Sequence, residues 1–305
     1  MENTQNKTDI VIPLHLKDAD IAISNIPIII RNIHHRRMVI VCSDEAKAMI
    51  QERCLSDLEY YREDSIANGL TIESVKSIIL ARSGNAERAG WYFQQFLKMA
   101  YSLSCEDEWY VLWDADTIPL SEISLFEASG RPVFDLKNEY HRPYFYTLMR
   151  LMGLDKEEPL SFIAEHMVIS TKVMRELIKD IEANDSLAGV YFWEKILYAI
   201  PWTFLRTSGF SEFETYGNYV MRHYPGMYAT RRLRTLRPAR IVIGDSTDEG
   251  ILRWAAKSYD TISYEKSKMI DEWYAWISNS PLRRFVSLES LWKRYRATHY
   301  EDYIE

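Results

Sequence analysis

The sequence predicts an α/β fold with a mainly parallel sheet. Three short apolar runs are rich in β-branched or aromatic residues: Asp9 to Leu14, Met38 to Cys42, and Trp109 to Trp113. Runs of this kind are typical of buried parallel strands. An apolar pattern of helical length, Lys17 to Ile33, separates the first two runs and is interrupted by Pro27. The chain is therefore expected to open as strand, helix and strand, like one half of a nucleotide-binding sheet.

Two acidic residues directly follow the third apolar run. Asp114 and Asp116 lie just past Trp113, at the strand end where open α/β sheets place their ligand crevice. Two neighbouring carboxylates repel each other, and a hard divalent cation between them relieves that repulsion. Mg²⁺ and Mn²⁺ commonly bind one or two protein carboxylates together with waters and substrate phosphates. The pattern favours a metal site for a phosphate-bearing ligand, and the alternative is a solvated turn ended by Pro119.

Two further motifs lie before and after this D-x-D segment. Gly90 to Met99 reads GWYFQQFLKM, and Phe210 to Gly217 reads FSEFETYG. In this order the three motifs resemble those of a little-characterised bacterial family of GT-A glycosyltransferases, and the resemblance covers roughly residues 9 to 250. It implies a GT-A-like, Rossmann-like sheet flanked by helices and a nucleotide-sugar donor.

The resemblance also implies where the donor nucleotide would bind. Pro13, Leu14 and His15, after the first strand, would border the base, and Asp44 would accept a hydrogen bond from the base or ribose. Ser43 equally fits the N-cap of a helix that begins at Asp44 with acidic residues in its first turn. The first strand is not followed by G-x-G-x-x-G, which argues against a dinucleotide cofactor.

The resemblance further implies a divalent metal cofactor, Mn²⁺ or Mg²⁺. Asp114 and Asp116 would hold the ion against the donor diphosphate. A late histidine, His223, would complete the metal shell, as one does in many relatives of this fold.

Ala86 to Leu103 shows the clearest helical pattern in the chain. Beside its apolar face, a second face carries Trp91, Gln94, Gln95 and Lys98 at positions i, i+3, i+4 and i+7. We expect this face to line the cleft beside the D-x-D strand and to contribute to donor binding, with Lys98 against a phosphate. The alternative for Lys98 is a solvated lysine near a helix end.

An inverting sugar transfer needs a carboxylate that deprotonates the attacking hydroxyl. Glu212 and Glu214 are the candidates for this base, with Glu165 in reserve. Ser211 lies three residues before Glu214, which is the spacing of a capping box. The sequence therefore favours Glu212 as the base and Glu214 as a capping residue.

Other segments are assigned from their patterns alone. We expect a helix, a loop and a helix from Glu59 to Leu80, a strand from Val133 to Leu136, and a strand from Leu160 to Ser170. In the last of these, the adjacent Glu165 and His166 point to opposite faces, so at least one should meet a polar group. A final short strand is expected from Ile241 to Gly244.

The segment from Arg231 to Arg240, termed the arginine cluster, carries five arginines in ten residues. It can neutralise a diphosphate, an acidic acceptor or lipid headgroups, or it can be a solvated face that balances an acidic chain. We expect a catalytic domain over residues 1–250 and a helical, aromatic and basic extension over residues 251–305. For this extension, docking on a membrane surface, on a partner and on its own domain all remain open.

Composition narrows the class of protein. The net charge of -7 argues against a nucleic-acid binder, whose footprint would be basic. Cys42, Cys54 and Cys105 are odd in number and lack metal-ligand spacing, which is typical of buried thiols in a reducing compartment. No run approaches the roughly 18 apolar residues of a spanning helix, and Met1 to Thr8 is polar. We expect a cytoplasmic protein, with contact to the inner face of a membrane left open.

Glycosyl transfer to a glycan or lipid-linked acceptor, as in bacterial surface polysaccharide synthesis, accounts for most of these features. A phosphatase of the haloacid dehalogenase type is the main alternative, since Asp114 mimics its nucleophile and Gly244 to Asp248 mimics its late metal loop. Ile118 and the late position of Asp114 in the chain depart from that pattern. A non-catalytic sugar-binding module is the third alternative, and it leaves Ser211 to Gly217 unexplained.

Overall fold

The computed structural model describes residues 8–53 and 57–299, so Cys54 lies outside the described part. By its contacts the chain divides into two compact units. The first takes the described residues of 1–19, 35–114 and 125–231, and the second those of 20–34, 115–124 and 232–305. This division by contacts differs from the two domains expected at residues 1–250 and 251–305. The expected domain boundary remains a prediction.

The described residues form ten strands and thirteen α-helices. The strands are β1 (Asp9–Pro13), β2 (Met38–Cys42), β3 (Glu59–Arg62), β4 (Trp109–Trp113), β5 (Thr117–Pro119), β6 (Val133–Asp135), β7 (His166–Ser170), β8 (Ala229–Arg231), β9 (Thr235–Leu236) and β10 (Thr261–Ser263). The helices are α1 (Ala19–Asn32), α2 (Asp44–Arg53), α3 (Ile72–Ser83), α4 (Ala89–Ser104), α5 (Arg142–Met152), α6 (Thr171–Glu182), α7 (Phe192–Ala199), α8 (Trp202–Leu205), α9 (Glu212–His223), α10 (Ala239–Ile243), α11 (Glu249–Ala255), α12 (Glu272–Asn279) and α13 (Leu288–Thr298).

A five-stranded sheet forms the core of the first unit, in the order β3-β2-β1-β4-β7. Its first four strands are parallel, and β7 runs antiparallel to β4. Every residue of β1, β2 and β4 is buried, as the continuous apolar runs predict. Helix α4 packs against β1 and α6 packs against β7. The predicted α/β fold, a mainly parallel sheet flanked by helices, is confirmed.

Three segment predictions are corrected by the structure. The predicted first helix after Glu59 is instead strand β3, which pairs with β2, because backbone pairing outweighs a mixed side-chain pattern. The strand predicted from Leu160 begins only at His166, since Glu165 has a φ of +58° that breaks extended pairing. Ile241 to Ile243 lie in helix α10, because a short apolar run does not by itself distinguish a strand from a buried helix.

The helix expected between the first two strands is α1, which continues through Pro27 without ending. Asn25 Nδ2 donates to the carbonyl of Ala115 at 2.9 Å, and Asn32 Nδ2 donates to that of Pro119 at 2.8 Å. These two bonds tie the segment after Asp114 to α1. Residue Ile118 joins the buried core of the second unit, together with α10 and the apolar residues of α12 and α13.

The second unit also contains the three-stranded sheet β5-β10-β9. Among the described residues, none of the helices has both the length and the apolar character needed to cross a bilayer.

Candidate active site

Three charged side chains of the first unit meet at the carboxyl end of β4. Lys98 Nζ lies 2.7 Å from Asp114 Oδ1 and 2.8 Å from Glu212 Oε1. These two distances limit the separation of the two carboxylate oxygens to about 5.5 Å. Lys98 and Glu212 are buried, whereas the side chain of Asp114 is 30% exposed. One lysine therefore bridges the predicted metal ligand and the predicted base, and we call this arrangement the lysine bridge.

Helix α4 positions the lysine bridge through the face that the sequence singles out. Gln95 Oε1 accepts a hydrogen bond from the backbone N–H of Glu212 at 3.2 Å, which fixes the start of α9 against α4. Gln94 Nε2 donates to the carbonyl of Pro13 at 3.0 Å, at the end of β1. This face of α4 is thus occupied by structural contacts, and Lys98 meets carboxylates instead of solvent.

The charges of the lysine bridge do not cancel. Burial alone would lower the pKa of Lys98, but Asp114 and Glu212 together hold that pKa above its ordinary value. Two carboxylates around one ammonium leave an excess of one negative charge. Asp114 Oδ1 contacts Lys98, but the side chain of Asp114 remains partly exposed. Its carboxylate oxygens are the kind of ligand that a hard divalent cation prefers.

Glu214 lies in a separate hydrogen-bond network. Its carboxylate accepts from Ser161 Oγ at 2.6 Å, from the N–H of Phe162 at 3.3 Å and from Asn218 Nδ2 at 3.1 Å. Burial raises the pKa of Glu214, even though these donors and Lys156 act to lower it. The predicted capping box is half present: Ser211 Oγ accepts from the N–H of Glu214, but the Glu214 carboxylate bonds elsewhere.

The glycine of the FSEFETYG motif has a packing role. A methyl group on Gly217 would overlap the ring of Phe162, because α9 approaches that ring without space for a side chain. We expect Gly217→Ala to lower the free energy of unfolding by about 1–3 kcal/mol, as overpacking commonly does. Denaturant unfolding measures this change.

Gly90→Ala is the matched control for Gly217→Ala, since it also lies in a helix and a methyl group there meets nothing within 4 Å. The control should be neutral or stabilising by up to about 1 kcal/mol. Equal stability changes in the two variants would contradict the packing role of Gly217.

Glu165 and His166 adjoin the lysine bridge from β7. The carbonyl of Glu165 accepts from the N–H of Asp114 at 2.9 Å. The left-handed backbone of Glu165 is a conformation that costs of order 1–3 kcal/mol and clusters at functional sites. The imidazole of His166 stacks on Trp113, with ring centroids 4.6 Å apart. The predicted catalytic role of Glu165 remains a hypothesis.

His166 belongs to a buried polar network that the sequence does not predict. His166 Nε2 lies 2.8 Å from Asp135 Oδ2, and Arg231 Nε donates to Asp135 Oδ1 at 2.7 Å. Burial acts to raise the pKa of Asp135, but hydrogen bonds from His166 and Arg231 lower it to about 2. The polar partner expected for this Glu-His pair is thus the carboxylate of Asp135. The one sequence signal for this network is an acidic residue within the predicted strand Val133 to Leu136.

The residues predicted to border the donor nucleotide lie at the ends of β1 and β2. Leu14 is buried, and the exposed His15 accepts from the N–H of Lys17 through Nδ1 at 3.1 Å. Asp44 is exposed and begins α2, while Ser43 Oγ accepts from the N–H of Ala46 at 3.3 Å. The capping role of Ser43 is confirmed, and the donor contacts remain predictions.

His223 and Asp116 are the two other predicted metal ligands. His223 is exposed and ends α9, eleven residues after Glu212, which corresponds to about 16 Å along the helix axis. The ring of His223 packs against Tyr219. Asp116 belongs to the second unit, where its carbonyl accepts from the N–H of Tyr264. The geometry of α9 thus gives no support to His223 as a metal ligand beside Asp114.

Four of the five arginines of the arginine cluster form ion pairs with acidic residues. The pairs are Arg231 with Asp135 at 2.7 Å, Arg234 with Asp260 at 2.7 Å, Arg237 with Glu265 at 3.1 Å, and Arg240 with Asp245 at 2.6 Å. These carboxylates already supply the negative charge that a diphosphate would bring. These ion pairs favour a solvated basic face that balances the acidic chain over a binding site for a diphosphate, an acidic acceptor or lipid headgroups.

A second acidic group lies at the opposite end of the five-stranded sheet. Asp9, Cys105 and Asp107 place three potential metal-ligating atoms within 4.8 Å of one another. The Asp9 carboxylate, however, accepts hydrogen bonds from both Arg36 and Arg37. Burial opposes the ionisation of Asp9, but hydrogen bonds from Arg37 and Tyr101 hold its pKa below the ordinary value. The two guanidinium groups here supply the positive charge that a metal ion would otherwise bring.

Residues 5–239 match a family described as a family of unknown function, DUF6492. The chain belongs to this family. No curated protein matches the sequence.

Three solved glycosyltransferase structures are similar to this DUF6492 chain at low identity. Mouse xyloside xylosyltransferase 1, in its apo form, is 11% identical, with 87% of this chain and 100% of that chain covered and a TM-score of 0.43. Galactosyltransferase LgtC, in complex with donor and acceptor sugar analogs, is 10% identical over 89% and 93%, with a TM-score of 0.45. The WbbM bifunctional glycosyltransferase is 14% identical over 95% and 52%, with a TM-score of 0.44. Similarities with such low identities and TM-scores do not establish the activity of this chain.

Proposed function

We propose that this protein is a metal-dependent glycosyltransferase. It moves a sugar from a nucleotide-sugar donor to a hydroxyl of a glycan or lipid-linked acceptor, in bacterial surface polysaccharide synthesis. The lysine bridge carries this proposal, because it joins the first carboxylate of the D-x-D segment to an acidic residue suited to act as the base. The ordered D-x-D, GWYFQQ and FSEFETYG motifs support the same reaction.

Asp114 and Asp116 would hold the metal ion, Mn²⁺ or Mg²⁺. When bound, the ion supplies positive charge against the donor diphosphate as negative charge develops on the leaving phosphate. Lys98 fixes one oxygen of Asp114 and keeps that carboxylate at the end of β4. Pro13, Leu14, His15 and Asp44, at the ends of β1 and β2, would border the nucleotide.

Glu212 would act as the general base. It accepts the proton of the acceptor hydroxyl, the hydroxyl oxygen bonds to the anomeric carbon, and the bond from that carbon to the diphosphate breaks. The ammonium group of Lys98, 2.8 Å away, holds the carboxylate of Glu212 in place. A carboxylate within about 5.5 Å of the Asp114 oxygen lies at a suitable distance from a sugar whose diphosphate is held there.

The phosphatase alternative has lost one of its two supporting features. Gly244 follows helix α10, whereas the late metal loop of that enzyme class was expected to follow a strand. A phosphatase of that class would form a covalent phosphate on Asp114. Trapping this species with a phosphoryl-fluoride mimic would overturn the proposed transferase.

Metal-dependent donor binding tests the proposal most directly. Nucleotide sugars are screened by thermal shift with and without Mn²⁺, and turnover is followed by release of the nucleoside diphosphate. We expect Asp114→Asn and Asp116→Asn each to weaken Mn²⁺-dependent donor binding at least about tenfold, because each removes a charged ligand.

The exposed Asp185 is the matched control, and Asp185→Asn should bind donor as the wild type does. Donor binding that is unchanged in Asp114→Asn and Asp116→Asn would remove the metal site. Donor binding without turnover would instead favour the sugar-binding module.

A further inference from the structure

The second unit exposes aromatic side chains on α12 and on the 3₁₀ turn that follows it. Trp273 and Trp276 are 51% and 57% exposed, and their i, i+3 spacing places them on one face of α12. In the turn Pro281–Phe285, Leu282 is exposed and Phe285 is 78% exposed. Large exposed apolar patches mark interaction sites. These residues lie beyond the family match at 5–239.

Three arginines border these aromatic residues. The guanidinium carbon of Arg294 lies 5.8 Å from the ring centroid of Trp273, and that of Arg284 lies 6.0 Å from that of Phe285. Arg283 and Arg284 line a cleft of about 400 Å³ together with Asn279, which follows Trp276 at i+3. The apolar face of α12 therefore leads into a basic cleft, and we call the whole the aromatic-basic surface.

These arginines take part in none of the close ion pairs of the described chain, although the carboxylate of Asp248 and the guanidinium of Arg283 both lie beside Gly250. Over residues 8–53 and 57–299, no carboxylate forms an ion pair with Arg283, Arg284 or Arg294. In the same unit, Arg234 pairs with Asp260 at 2.7 Å, as other members of the arginine cluster pair with their own acids. The aromatic-basic surface is thus basic and apolar on a protein whose net charge is -7.

We propose that the aromatic-basic surface docks on a membrane that contains anionic phospholipid. Trp side chains favour the interface between headgroups and acyl chains, and the apolar side chains of Leu282 and Phe285 would enter its outer part. Arg283 and Arg284 would bind lipid phosphate. Since the rest of this acidic protein is repelled by an anionic membrane, the surface also sets the orientation of docking. This inference does not depend on the proposed sugar transfer.

Vesicle co-sedimentation of the full chain tests the inference. We expect the protein to sediment with phosphatidylcholine vesicles that contain phosphatidylglycerol, and far less with phosphatidylcholine alone. The double variant Arg283→Gln, Arg284→Gln should lower partitioning roughly tenfold or more. The double variant Trp276→Ser, Phe285→Ser should lower it comparably, and added salt should weaken the wild-type interaction.

Matched controls come from exposed residues elsewhere. Arg253→Gln changes an exposed arginine that pairs with Glu249, and Trp202→Ser changes an exposed tryptophan of the first unit. Both should sediment as the wild type does, and thermal unfolding verifies that all the variants are folded. Absence of wild-type binding to anionic vesicles, or equal binding by all variants, would overturn the inference. Self-association that the double variants abolish, without vesicle binding, would assign the surface to a second copy instead.

Discussion

Replacing Lys98 by methionine is expected to destabilise the protein by about 3–5 kcal/mol, the range measured when one partner of a buried ion pair is removed. Methionine preserves most of the volume and the contact with Phe213, whose ring lies 4.4 Å from Lys98 Nζ. The lost stability is therefore due to removal of the positive charge. Without it, the carboxylates of Asp114 and Glu212 would remain close together with no cation between them. Denaturant unfolding measures the free energy directly.

The control for Lys98→Met is Lys172→Met, whose side chain is 79% exposed, and its effect should stay within about 0.5 kcal/mol. Adding Glu212→Gln to Lys98→Met should recover part of the lost stability, because it removes one of the two stranded charges. A cost below about 1 kcal/mol for Lys98→Met, with no recovery in the double variant, would contradict a stabilising lysine bridge.

Glu212→Gln is expected to lower kcat by about 10²- to 10⁴-fold, the usual contribution of a general base. Donor affinity should change little, because the amide oxygen can still accept a hydrogen bond from Lys98. Steady-state kinetics with the donor identified by thermal shift separate kcat from donor binding.

Glu214→Gln is the control for the base, because Glu214 belongs to the separate network with Ser161 and Asn218. Burial raises the pKa of Glu214 in the folded protein, so the stability it contributes is present at low pH and is lost as pH rises through that pKa. Glutamine does not ionise, so Glu214→Gln avoids the stability that the wild type loses as Glu214 deprotonates. The free energy of unfolding of the variant should therefore rise relative to that of the wild type as pH increases. Equal, small effects of both substitutions on kcat would leave Glu165 as the better candidate.

The elements that are well predicted share a continuous physical signal. Strands β1, β2 and β4 are uninterrupted apolar runs, and their burial follows from that composition. Helix α4 shows a clear period of 3.6 residues, so its inward polar face is predictable. Weaker signals fail: β3 carries charged residues at both ends, and the apolar run of α10 is too short to define a period.

The candidate site is predictable in its residue types but not in its pairings. A helical pattern places Lys98 on a polar face, yet its partners Asp114 and Glu212 lie in other elements of the chain. Likewise, Asp135 of β6 contacts His166 of β7, and no local sequence pattern predicts that contact. Such pairings depend on the tertiary arrangement. His223 shows the opposite error, because its residue type fits a metal while its position at the far end of α9 does not favour one.

Strand β3 has a consequence for aggregation. In the described part of the chain it is the last strand on its side of the five-stranded sheet and pairs only with β2. An open strand edge invites a strand of another molecule, and charged side chains oppose such pairing. Glu59 and Arg62 occupy the two ends of β3 and form ion pairs with Arg37 and Asp64. A strand approaching this edge must disrupt or desolvate these charges, so β3 can remain at the border of the sheet without recruiting a second molecule.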